Sequence, residues 1–155
     1  MKKITCIVAL ALTILWMPHP TPAGTGASNK INWASYDNAQ NRNSEKRKYF
    51  IYFYTDQCGF CSMLEKKTFS DESIIEYINS NYTPVKVNAR KESKLATQFG
   101  IQGVPDLRFL TAKGEDIARW PGFIETKNLL PLLQYIHTDS YENTSYKEFL
   151  KQKRE

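Results

Sequence analysis

The chain is poor in the side chains that bind transition metals. Its 155 residues include three cysteines and two histidines. A structural zinc site takes four ligands, commonly with a second cysteine pair or a histidine pair, and beyond residue 27 Cys58 and Cys61 have neither. His137 stands alone in a predicted helix, where we expect it to be partly packed or solvent-facing. We therefore expect no metal site and no metal cofactor.

The chain also lacks an apolar run long enough to cross a membrane, which takes about 20 residues. Its longest run, ITCIVALALTILWM at 4–17, has 14 residues, follows Lys2 and Lys3, and is followed by prolines and small residues. This order is typical of a secretory signal peptide. We expect residues 1–27 to be a signal peptide, with an uncleaved N-terminal anchor as the alternative.

A charge excess large enough to indicate nucleic-acid binding is absent. The formal net charge is +5, and it falls to +3 once Lys2 and Lys3 leave with residues 1–27, which contain no acid. No nucleic-acid-binding motif accompanies this mild excess. We expect no nucleic-acid partner.

Strand and helix patterns alternate through the rest of the chain. Apolar residues on both faces predict a buried strand at 49–55, and apolar residues three and four apart predict the helices. The predicted helices lie near 33–40, from Gly59, from an N-cap at Ser70, at 92–100 and at 125–138, and the strands at 49–55, 83–89, 104–111 and 117–122, the last two joined by a hairpin turn. This order predicts an α/β fold with helices on both faces of a mixed central sheet.

The length of the chain suits a single domain and leaves no room for a second. We expect that domain to occupy residues 28–138 and to be a monomer. Residues 139–155 are polar and highly charged, and we expect a frayed or helical tail there.

Cys58 and Cys61 stand three residues apart in CGFC, between a predicted strand and a predicted helix. A disulfide that closes so short a loop removes little entropy from the unfolded chain, so a purely structural disulfide here would add little to the stability of the fold. We favour a working dithiol. Unpaired N–H groups and the dipole at the start of the helix favour a thiolate at Cys58. Cys61, one turn later, can then resolve a mixed disulfide formed at Cys58.

The two residues between the cysteines are candidates for partner contact. Gly59 lets a partner's backbone approach closely. Phe60 either offers an exposed apolar contact or packs on a neighbouring loop.

The strand–CGFC–helix pattern, followed by GVPDLRFL, resembles the thioredoxin superfamily over about residues 31–137. The resemblance implies a thioredoxin-like fold and a thiol–disulfide oxidoreductase whose redox group is the Cys58–Cys61 disulfide. It also implies that Pro105, preceded by Val104, is a cis proline facing the dithiol, where a substrate peptide pairs as an added strand. The implied partners are protein thiols and disulfides and an upstream redox protein.

The segment YTDQCGFCSMLEKKTFSD is similar to periplasmic members of the superfamily, including the reducing C-terminal domain of membrane-bound disulfide reductases. With the signal-peptide pattern, this implies an exported, periplasmic protein that meets a membrane only if residues 1–27 stay uncleaved. A reductase or isomerase role is favoured over an oxidase, because the GF dipeptide lacks the His or Pro that strong oxidants often use. The alternative is a peptide-binding adaptor of the same fold with little turnover.

One departure from the superfamily pattern concerns the proton of the resolving thiol. Tyr52 stands where thioredoxins have a buried aspartate, and a phenol with a pKa near ~10 is a poor base at neutral pH. The matching lysine, Lys86, is then expected to lack its carboxylate partner. Glu65, one turn past Cys61, is a candidate replacement base, with a solvent-facing helix residue as the alternative.

A second departure concerns charge beside the dithiol. Asp106 follows Pro105 where many relatives have threonine, and Gln57 replaces a tryptophan. We expect Asp106, together with Asp56, to place negative charge near Cys58. Like charge disfavours a thiolate, so this charge would make the dithiol more reducing.

Overall fold

The structure is a computed structural model that describes residues 28–42 and 47–153. The signal-peptide or anchor prediction for residues 1–27 lies outside the described residues. Within them, no helix is both long and apolar enough to cross a membrane.

A mixed sheet of four strands forms the centre of the part of the chain that the structure describes. In the order β2-β1-β3-β4, it contains β1 (Tyr49–Tyr54), β2 (Thr83–Asn88), β3 (Asp106–Leu110) and β4 (Asp116–Pro121). β1 runs parallel to β2 and antiparallel to β3, and β3 runs antiparallel to β4. The predicted hairpin turn is confirmed, and its Gly114 takes a φ of 89°, which suits a residue without a side chain.

The described helices are α1 (Tyr36–Arg42), α2 (Gly59–Lys67), α3 (Glu72–Asn81), α4 (Ser93–Gln98), α5 (Thr126–His137) and α6 (Tyr146–Gln152). The predicted N-cap of α3 is wrong by one residue. The Asp71 carboxylate accepts the N–H of Ser73 at 3.0 Å, whereas the Ser70 hydroxyl donates back to the carbonyl of Lys66. Ser70 therefore belongs to the turn that ends α2, and Asp71 begins the next helix.

The first helix begins later than its spacing pattern predicts. Trp33 lies before α1, and Ala34 pairs with Val85 in a parallel bridge along the outer edge of β2. The N–H of Lys86 donates to the carbonyl of Ala34 at 3.0 Å. This pairing keeps the chain extended until Ser35, so the helix follows it.

Apolar side chains pack on both faces of the sheet. Phe50 and Tyr52 of β1 face a cluster that includes residues of α2, α3 and α5, whereas Ile51 and Phe53 face a second cluster that includes residues of α1 and α4. Alternate residues of a strand point to opposite faces, which produces this division. The predicted helices on both faces of a mixed sheet are confirmed.

The segment after α5 is helical and packs against that helix. A 3₁₀ turn at Ser140–Glu142 precedes α6. The ring of Tyr135 in α5 lies 5.2 Å from the rings of both Tyr146 and Phe149, measured between centroids. Of the two predicted forms of the tail, frayed or helical, the described residues adopt the helical one.

Candidate active site

The two cysteines form a disulfide at the start of α2. Cys58 is the N-cap residue, and its Sγ accepts the N–H of Cys61 at 3.0 Å. Cys61 is 2% exposed, whereas Cys58 is only partly buried. The same N–H would stabilise a Cys58 thiolate once the disulfide is reduced, because hydrogen bonds to the charged form favour it. Among the described residues, no group of three or more His, Cys, Asp or Glu side chains could hold a metal ion.

The loop before β3 lies against the outer cysteine. The peptide bond between Val104 and Pro105 is cis. The carbonyl oxygen of Val104 is 3.6 Å from the Sγ of Cys58, and the carbonyl of Pro105 accepts the N–H of Gly122 at 2.7 Å. The structure thus brings together the two segments, CGFC and GVP, that carry the sequence resemblance.

The surface of α2 beside Cys58 is apolar. Phe60 is 63% exposed, so the alternative in which it packs on a neighbouring loop is wrong. Met63, one turn later, is 37% exposed. Met63 follows Phe60 by three residues, so both lie on one side of the helix. This spacing could have identified Met63 as part of the exposed apolar surface. Gly59 is exposed and has open space where a Cβ would lie.

Tyr52 of β1, Glu65 of α2 and Lys86 of β2 form one hydrogen-bonded cluster. The hydroxyl of Tyr52 donates to Oε1 of Glu65 at 3.1 Å, and Nζ of Lys86 approaches the same oxygen at 3.0 Å. The expectation that Lys86 lacks a carboxylate partner is wrong, because α2 supplies the acid that β1 does not. Burial and the neighbouring Glu65 carboxylate raise the pKa of Tyr52 above its ordinary value, so its phenol stays protonated at neutral pH.

Asp106 does not present a free negative charge to the dithiol. Its side chain is fully buried, with Oδ1 at 3.0 Å from Nε of Arg108 and Oδ2 at 2.6 Å from Nη2 of Arg119. Asp56 is likewise paired, with Lys91 at 3.2 Å. The prediction that Asp106 and Asp56 place negative charge near Cys58 is therefore wrong, because each carboxylate is paired with a cation. Asp106 and Arg108 are two apart on β3 and share a face of the sheet, a signal that could have revealed this pairing.

Sequence reasoning also missed the contact between the dithiol loop and the loop after β2. Nη1 of Arg90 donates to Oε1 of Gln57 at 3.3 Å. Asn88 is buried; its Oδ1 accepts the N–H groups of Arg90 and Lys91, and its Nδ2 donates to Asp56 at 3.1 Å. The carboxyl ends of adjacent parallel strands lie at the same edge of a sheet, so the two loops could have been expected to meet.

Comparisons with known proteins agree with this geometry. A family model described as Thioredoxin-like domain matches residues 36–137. An uncharacterised protein of Archaeoglobus fulgidus is 30% identical over 90 residues, which cover 57% of this chain and 66% of that protein. The thiol:disulfide interchange protein DsbD of Yersinia enterocolitica is 31% identical over 86 residues, which cover 52% of this chain and 15% of that protein.

A solved thioredoxin from Thermus thermophilus matches the structure with a TM-score of 0.63 at 19% identity, covering 69% of this chain and 87% of that one. At this identity the likeness shows the fold. The chain spans just under two thirds of the Archaeoglobus protein and a small part of DsbD.

The buried ion pairs of Asp106 predict a large effect of removing its charge. We expect Asp106→Asn to lower the free energy of unfolding by about 3 kcal/mol, the low end for breaking a buried ion pair, because Arg119 stays partly exposed. Urea unfolding followed by circular dichroism measures it. Asp116→Asn is the matched control, since Asp116 is exposed and 3.8 Å from Arg108. Equal effects of the two substitutions would contradict the prediction.

Proposed function

The chain belongs to the thioredoxin-like domain family, and we propose that it is an exported thiol–disulfide oxidoreductase that exchanges disulfides with protein substrates through Cys58 and Cys61. The observation that carries the proposal is the position of the Cys58 sulfur. It caps a helix start, receives a backbone N–H at 3.0 Å and lies 3.6 Å from the carbonyl that precedes the cis proline. Export is supported by the signal-peptide pattern at residues 1–27.

The exchange proceeds in two balanced steps. The Cys58 thiolate attacks one sulfur of a substrate disulfide, which forms a mixed disulfide and releases the other substrate sulfur as a thiolate that takes up a proton. Cys61 then loses its proton and attacks the Cys58 sulfur, which releases the second substrate thiolate. The substrate gains two electrons and the protein is left with the Cys58–Cys61 disulfide. An upstream protein dithiol reverses these steps to restore the reduced form.

Glu65 is the group proposed to take the proton from Cys61. It follows Cys61 by four residues on α2, and residues at this spacing on a helix have their Cβ atoms about 5–6 Å apart. Tyr52 and Lys86 both bind its Oε1, which orients the carboxylate and supplies a compensating positive charge. Tyr52 itself stays protonated and serves as a hydrogen-bond donor.

Substrate contact is proposed at the exposed side of Cys58. Phe60 and Met63 offer apolar surface on α2, and Gly59 leaves room for a partner's backbone. The backbone beside Val104 and Pro105 supplies the polar groups with which an extended peptide pairs as an added strand. These features support a protein disulfide, rather than a small molecule, as the substrate.

The preferred direction is reduction or isomerisation. The GF dipeptide contributes no imidazole or proline that would favour the thiolate strongly. A reduced dithiol that is not held strongly as a thiolate donates its electrons more readily. In isomerisation, another substrate thiol attacks the mixed disulfide before Cys61 does, and no net electron transfer occurs.

Substitution of each cysteine tests the proposal. We expect Cys58→Ser to abolish reduction of insulin disulfides by dithiothreitol-reduced protein, because it removes the attacking sulfur. Cys61→Ala should instead accumulate a mixed disulfide, detected as a mass adduct after acid quenching. Ser62→Ala, a change at an exposed neighbour, should retain the wild-type rate. A wild-type protein that does not reduce insulin, yet binds it as tightly as a variant carrying both Cys58→Ser and Cys61→Ser, would instead be an adaptor.

Removing the Glu65 carboxylate tests its role as proton acceptor. We expect Glu65→Gln to slow resolution of the mixed disulfide about 100-fold at pH 7, the low end for a general base, and to leave mixed-disulfide formation unchanged. The deficit should shrink as the pH rises, because hydroxide can then remove the Cys61 proton without a general base. Rapid acid quenching and mass spectrometry separate the two steps.

Tyr52→Phe is the matched control, because it removes one hydrogen bond to Glu65 and keeps the acid and the ring. Its effect on resolution should be well below that of Glu65→Gln. If Glu65→Gln slowed formation and resolution by the same factor at every pH, Glu65 would have no specific role toward Cys61.

A further inference from the structure

The acidic side chains around the dithiol are neutralised by neighbouring cations. Asp56 pairs with Lys91 at 3.2 Å, Glu65 with Lys86 at 3.0 Å, and Asp106 with Arg108 and Arg119. The net charge that a partner protein meets beside Cys58 is therefore determined by the cations that form no such ion pair.

Arg90 is such a cation, and it is held at the dithiol loop. Its side chain is exposed, and its Nη1 donates to Oε1 of Gln57, the residue before Cys58. Gln57 is an uncharged amide, and among the described residues Arg90 forms no ion pair with a carboxylate. The buried side chain of Asn88 accepts the backbone N–H of Arg90 at 3.1 Å, which fixes the backbone from which the Arg90 side chain extends.

The charges next to Arg90 leave its own charge uncompensated. Lys91 is paired with Asp56, and Glu92 and Lys94 follow with opposite charges. A guanidinium carries five N–H donors, and the Gln57 amide uses one nitrogen, Nη1. The remaining donors can bind a carboxylate in the two-pronged geometry that arginine favours.

We propose that Arg90 is a specificity-determining residue that binds an acidic side chain next to the reactive cysteine of the substrate protein. The inference rests on the proposed function and adds the chemical class of the substrate segment. That segment carries an aspartate or glutamate on the side that meets the loop after β2, and apolar residues on the side that meets Phe60 and Met63.

Peptide disulfides that differ only in flanking charge test the inference. Three synthetic peptides each carry one intramolecular disulfide, with two aspartates, two serines or two lysines beside the cysteine that is attacked. The dithiothreitol-reduced protein, freed of reductant, reduces each peptide to its dithiol while its own disulfide forms. Acid quenching and mass spectrometry give the second-order rate constants at low ionic strength.

We expect the wild type to reduce the aspartate peptide about five- to tenfold faster than the lysine peptide, with the serine peptide between them. Arg90→Gln should bring the ratio close to one, and Arg90→Glu should invert it. Added salt should reduce the wild-type preference, because it screens exposed charges. Lys113→Gln, which makes the same change in net charge in the β3–β4 turn, should keep the wild-type ratio.

The possible failures are distinguishable. Equal wild-type rates for the three peptides would overturn the role of Arg90 and leave the proposed function standing. A uniform decrease for all three peptides in Arg90→Gln would also overturn it, because that result indicates a change in Cys58 reactivity rather than in docking. Failure to reduce any of the peptides would overturn both proposals.

Discussion

Parallel pairing between β1 and β2 places most of the site at one edge of the sheet. In its register Tyr52 lies opposite Lys86, and Tyr54 lies opposite Asn88. Because both strands end at the same edge, the dithiol loop after β1 meets the loop after β2, and the N–H of Ala89 extends the ladder to the carbonyl of Tyr54 at 2.9 Å. The same register holds the Lys86 ammonium 5.7 Å from the ring centroid of Tyr52 and 4.4 Å from that of Tyr54. There it also meets the Glu65 carboxylate of α2 at 3.0 Å. A different register would separate these groups.

Compensation of charge is the second constraint on the site. A carboxylate buried without a partner would be costly, and Asp106, fully buried directly after the cis proline, is held by two guanidinium groups. Glu65 is held by a lysine and a phenol. The dithiol therefore lies among acids whose charge is already balanced. In the proposed account its chemistry depends on the backbone N–H of Cys61, on Glu65 as the proton acceptor and on Arg90. The N–H of Cys61 stabilises the attacking thiolate, Glu65 assists the resolution of the mixed disulfide, and Arg90 selects the substrate.

Much of the fold could be predicted from the sequence. Apolar residues recur at every second position in strands and at every third or fourth position in helices, and this spacing indicates which face is buried. The dithiol and Pro105 were also predictable from the sequence, since each lies in a short motif, CGFC or GVP. The pairing of Glu65 with Lys86 was not, because it depends on how α2 lies over the sheet. Arg119 reaches Asp106 only through the register of the β3–β4 hairpin, which includes an irregularity between Phe109 and Leu110. Such details arise from tertiary packing rather than from local spacing.

The central claim is that Cys58 and Cys61 act as an exchanging pair rather than as a permanent crosslink. Equilibrating the protein with glutathione buffers of graded thiol-to-disulfide ratio, then alkylating in acid and weighing the products, tests this most directly. The account predicts one reversible two-electron transition in which both cysteines change state together, at a potential more reducing than that of the strong periplasmic oxidants. A disulfide that persists in a large excess of reduced glutathione, as structural disulfides do, would contradict it.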